Sequence, residues 1–200
     1  MKHKIKEFIG GLAIACCVFS ANSALAQSLP LAVETFSISA PGPEDIIDAM
    51  AKQSPKIPGT NDIVLGWTVF KWNYVNVVAT ETQQGCSVGN VSITGNLTTY
   101  HPKLINARTS AWNIKFEQFA QDIRQHENKH AQIYTRHWNN LQSEMSSLSN
   151  KTYTAKCNEV QISVQQRLAD WENLVSQEHK VLDQAEGHVN EQSLRQAFGI

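Results

Sequence analysis

The sequence predicts an α+β fold: a small antiparallel sheet packed against a long antiparallel helical hairpin. Three observations predict it. Aromatic and β-branched residues dominate from Ile63 to Leu97, punctuated by glycines, which is strand character. From Trp112 onward the apolar positions recur in steps of three and four, which is helix character. The helical half also carries His126-Glu127-Asn128-Lys129-His130, two histidines one turn apart with a glutamate between them.

The chain of 200 residues opens with Lys2, Lys4 and Lys6, an apolar run Phe8–Phe19, and small residues at Ala24 and Ala26. That is the layout of a secretory signal peptide cut after Ala26. The apolar run of 12 residues is short of the roughly 20 needed to span a bilayer. Ala15-Cys16 would also suit a lipoprotein site, but it leaves a very short apolar region. Residues 27–200 are then expected to form a single α+β domain, periplasmic or secreted, with no stable membrane insertion. The leader takes three lysines and Glu7 with it. The 17 basic and 18 acidic residues become 14 and 17, a formal charge of −3. No basic patch interleaved with aromatics exists, which argues against a nucleic-acid partner. Of four cysteines, Cys16 and Cys17 leave with the leader. The remaining pair in an exported chain, Cys86 and Cys157, is expected to form a disulfide.

In the first half, Val33–Ser39 alternates weakly and reads as a strand. Pro43 opens a short helical segment over Glu44–Lys52, which Pro55, Pro58 and Gly59 end. Ile63–Ala79 reads as a strand in which Trp67 and Val69 share one phase and Phe70, Trp72 and Tyr74 the other. Cys86–Leu97 repeats the character, and Tyr100-His101-Pro102 is expected to mark the exit from an antiparallel sheet of three or four strands.

In the second half, Trp112, Phe116, Phe119 and Ile123 begin a stripe that continues to Ile133, Trp138, Leu141 and Met145. His126 and His130 lie on that stripe. Polar groups on a buried face need partners, because an unpaired polar atom in a core is costly. Two core histidines satisfied by ordinary hydrogen bonds would meet that need; so would one metal ion shared by both, and Glu127 beside them gives the pair a chemical use. Ser146–Lys156 is polar and turn-like. Val160, Val164, Leu168, Trp171 and Val175 then mark the second helix of the hairpin.

A catalytic zinc takes three protein ligands and keeps one position open. His137 lies on the same face as His130 but about 10 Å further along, too far to share an ion. The third ligand is expected from the second helix or just beyond it: His179, Asp183, Glu186 or His188. A turn centred near residue 152 would place His179 level with His126, so geometry alone slightly favours His179.

The order of these features resembles the bacterial DUF922 family of predicted secreted zinc-dependent proteases. Trp67-Thr68-Val69-Phe70-Lys71-Trp72-Asn73-Tyr74 resembles its aromatic strand, Cys86 and Cys157 fall where its cysteines do, and His126, Glu127 and His130 match its helix motif. The family's closing Tyr-Asp-x-x-Thr-x-His-Gly is matched in part by Leu182–Val189, with Asp183 and His188 at the same spacing. Leu182, Glu186 and Val189 stand where the family has tyrosine, threonine and glycine. The resemblance spans about residues 33–190. It implies a zinc metallopeptidase with His188 as third ligand and peptide or protein as substrate. The expected chemistry is amide hydrolysis with His126, His130 and His188 on zinc and Glu127 as general base, with Tyr134, His137 or His179 available to steady an oxyanion. The rivals are a non-catalytic zinc-binding or protein-interaction domain of the cell envelope, and a structural envelope protein whose core histidines hold no metal. Leu182 also removes a hydroxyl that the family's tyrosine would bring near the zinc.

Overall fold

The computed structural model describes residues 28–55, 65–186 and 191–200. The signal-peptide expectation for residues 1–26 lies outside them. The first half holds the long strands and one short helix, and the second half the long helices. Strand β1 is Leu31–Ser39. A 3₁₀ turn at Pro43–Asp45 leads into helix α1, Ile46–Gln53, which buries Ile46, Ala49 and Met50. Two long strands follow, β2 (Trp67–Thr82) and β3 (Gly85–Ile105).

The hairpin is then built from α2 (Ser110–Leu148) and α3 (Cys157–Glu186), with a three-residue strand β4 (Lys151–Tyr153) in the turn. A short α4, Glu191–Phe198, closes the described chain. Thr109 caps α2: its side-chain oxygen accepts from the Trp112 amide, satisfying one of the free donors of the first turn.

The sheet order is β1-β3-β2, with β4 beside the first residues of β3. β2 and β3 form an antiparallel hairpin around the tight connection at Gly85, whose φ of +124° suits a residue without Cβ. Two expectations need correction. β1 runs parallel to β3, Leu31 opposite Leu97 through Ser39 opposite Ile105, so the sheet is mixed rather than antiparallel. β3 does not leave the sheet at Tyr100–Pro102 but continues to Ile105. β2 pairs no further than Tyr100, so beyond it only β1 flanks β3. One side of the strand is then open, where a proline's missing N–H breaks no ladder bond.

Two apolar clusters hold the layers together. One lies under the closed end of the hairpin, where Val88, Val91 and Ile93 of β3 meet Leu141 and Met145 of α2 and Val164 of α3. The Cys86–Cys157 disulfide, spanning 71 positions, ties β3 to the start of α3 in this cluster. The other lies at the start of α2, where Trp112, Phe116 and Ile123 pack on Ile38, Met50 and Leu194. On α2 the first cluster reaches back to Ala131 and the second forward to Ile123. His126, Glu127 and His130 occupy the interval between the two cores. No helix among the described residues is long and apolar enough to cross a membrane.

Candidate metal centre

Helix α2 brings His126 and His130 onto one face, as their four-residue spacing requires. Their Nε2 atoms lie 3.0 Å apart. Asp183, from the last turn of α3, reaches the same point: its Oδ1 is 3.3 Å from Nε2 of His126 and 3.1 Å from Nε2 of His130. The three donors form a nearly equilateral group that could hold a metal ion. Four ligands arranged tetrahedrally at 2.0–2.1 Å from zinc are separated from one another by about 3.3 Å. The donor spacing fits that, and two imidazoles with a carboxylate are donors zinc accepts.

The second nitrogen of each imidazole is also engaged. Nδ1 of His126 donates to Oε2 of Glu186 at 3.1 Å, and Lys129 forms an ion pair with the other oxygen of Glu186. Nδ1 of His130 is 2.6 Å from Nδ1 of His179. Burial holds the His179 imidazole down at about 4, with nearby His130 adding to the effect, so His179 is neutral at ordinary pH. Glu186 is held below the usual carboxylate range, first by Lys129 and then by His126.

Glu127 is 5 % exposed and reaches the sheet. Its Oε2 accepts a hydrogen bond from Oγ1 of Thr68, on β2, at 2.8 Å. Desolvation pushes its carboxyl up to about 7, although Thr68 and His126 favour the charged form. Gly66, just before β2, lets the chain pass close to α2 here: a Cβ at that position would run into Ile123 and sit 3.3 Å from Cγ of Glu127.

The sequence-derived candidates are therefore separated by the fold. His126, His130 and Asp183 converge. His179 and Glu186, considered as ligands, lie instead on the outer ring nitrogens of His130 and His126. His137 is not part of the group, its Nε2 lying 2.9 Å from Oε1 of Glu178. The ring of Tyr134 packs against His179 with centroids 4.6 Å apart, and burial raises its phenol. Leu182 packs against the apolar cluster under the hairpin. His188 lies outside the described residues.

Thr68 and Lys129 were not singled out from sequence. Lys129 is three positions past His126, on the same helical face, a signal available in hindsight. Thr68 shares the phase of Phe70 and Trp72, whose rings face the hairpin, but nothing in the chain pointed to Glu127.

No curated protein and no solved structure matches this chain. The family described as "Bacterial protein of unknown function (DUF922)" matches residues 33–189. That stretch contains the aromatic strand, both cysteines, the His-Glu-x-x-His helix and the α3 residues that meet it, and the chain belongs to the bacterial DUF922 family.

Proposed function

We propose that the chain is a zinc-dependent peptidase, exported to the periplasm or beyond with its leader cut after Ala26. The observation that carries this reading is the convergence of His126, His130 and Asp183 within about one tetrahedral edge of each other, with a buried carboxylate on the next residue of the same helix. His126, His130 and Asp183 would hold the ion. Zinc supplies Lewis acidity, toward a scissile carbonyl and toward a water molecule. Glu127 is the general base: it accepts the water's proton and returns it to the departing amine. Thr68 holds Oε2 of Glu127, which leaves Oε1 for the proton. The third-ligand assignment to Asp183 rests on its two short distances, against His188 from the family's closing motif.

The test begins with zinc content of protein purified without an affinity tag, then hydrolysis of casein and a peptide library with and without chelator. E127Q should keep zinc and lose hydrolysis, because an amide of nearly the same size cannot take the proton. An unchanged rate in E127Q removes Glu127 from the base role; zinc retained with no hydrolysis in the wild type favours the non-catalytic zinc-binding domain. D183A and H188A decide the third ligand: Asp183 is wrong if D183A binds zinc like wild type and H188A does not.

A further inference from the structure

Helix α3 presents His179, Asp183 and Glu186 at positions i, i+4 and i+7, one face by helical geometry. Only the middle one meets the converging Nε2 atoms of α2; the outer two meet the opposite edges of the same rings. A carboxylate has no proton to give, so the 3.1 Å contact between Nδ1 of His126 and Oε2 of Glu186 requires the proton on Nδ1. Nε2 of His126 then presents a lone pair toward Asp183. The 2.6 Å contact between His130 and His179 joins two Nδ1 atoms, and one must be the donor. Without an ion, the same rule puts a proton on Nε2 of His130, 3.1 Å from Oδ1 of Asp183, and Nδ1 of His130 then accepts from His179. With an ion at the shared point that proton sits on Nδ1 instead, His130 donates to His179, and its Nε2 also presents a lone pair there. His179 then carries its proton on Nε2, a buried atom without a hydrogen-bond partner among the described residues.

We propose that Glu186 and His179 are positioning residues of the metal centre: each takes the outer N–H of one histidine, and together they aim both Nε2 lone pairs at one point. Lys129 holds Glu186 in place from the α2 side. α3 thus supplies one ligand and both outer partners, and α2 both imidazoles. The inference rests on the zinc reading above.

Zinc affinity of the full mature chain, by chelator competition, tests it in H179L, H179N and E186A. Loss of an outer partner should weaken binding about 10- to 100-fold. H179N should recover most of the loss in H179L, because its amide oxygen can accept the N–H that Nδ1 accepted. Nitrogen-15 NMR of the histidine rings gives a readout that packing alone would not move. In zinc-free wild type, His126 should be the Nδ1–H tautomer, and E186A should mix in the Nε2–H form. Wild-type affinity in both H179L and E186A overturns the proposal while leaving the zinc reading intact. An H179N as weak as H179L overturns it for His179, whose role would be packing. Wild-type protein that takes up no zinc overturns both readings.

Discussion

In the metal-free protein, E127Q should be more stable than wild type at neutral pH, and the gain should vanish in mild acid. Glu127 is almost fully buried, and desolvation lifts its carboxyl from the ordinary 4.5 to about 7. Between those values the folded chain holds the proton more tightly than the unfolded chain does. Stability therefore falls as pH rises through that window, and the loss is complete above about pH 7. Each unit of displacement corresponds to 1.36 kcal/mol, so the full cost is about 3 kcal/mol. Glutamine has nearly the same shape and no charge, and its amide oxygen can still accept from Oγ1 of Thr68. The assay is urea denaturation of chelator-treated wild type and E127Q at pH 5 and pH 8. The difference should be about 1 kcal/mol or less at pH 5 and about 3 kcal/mol at pH 8, E127Q the more stable. A difference independent of pH, or a less stable E127Q at pH 8, would refute the claim that burial controls this carboxyl.

H126A and H130A should each lose most of the bound zinc, since each removes one of few protein ligands; elemental analysis after reconstitution measures it. Replacing Cys86 and Cys157 by alanine opens a loop spanning 71 positions and should lower stability by about 4 kcal/mol in the chain-entropy picture, read by denaturant melts. Zinc affinity should survive, because neither cysteine is near His126 in sequence or among its contacts. G66A should destabilise by about 1–3 kcal/mol through crowding of Ile123, and should lower hydrolysis by displacing Glu127; a melt and a rate that both match wild type would show that the loop can yield.

Much of the fold was legible because it follows from local periodicity. The stripe through Trp112, Phe116 and Ile123 and on to Leu141 and Met145 marks one helix, and the structure has one continuous α2 there. Phe70 and Trp72 share a phase in the sequence and both pack on Trp171 of α3, but Tyr74, of the same phase, is exposed past a register shift between Trp72 and Tyr74. β1 was legible as a strand but its direction was not, since alternation with period 2 looks the same beside a parallel or an antiparallel neighbour. α4 is only eight residues long, and its signal is the single pair Leu194 and Phe198, four apart and both buried. β4 is three residues long, too short for any pattern to show.

The sequence alone determined that His126 and His130 share a face, because that is intrinsic to a helix, and that Glu127 stands beside them. The expectation of export and the count of cysteines beyond the expected leader pointed to the Cys86–Cys157 disulfide, and the structure contains it. What faces the two histidines was decided only by tertiary structure. A hairpin centred near residue 152 would have put His179 level with His126. In the structure His130 meets His179 and His126 meets Asp183, so the hairpin is centred between residues 154 and 155. β4 extends the turn, and α3 starts only at Cys157. Moving the centre by two or three residues moves the facing position by four or more, at least a helical turn of 5.4 Å. That is the difference between a histidine and an aspartate at the shared point. The hydrogen bond from Thr68 to Glu127 likewise spans 59 positions of chain. It exists because the sheet packs on α2 between two apolar cores, a relation that no local window of sequence contains.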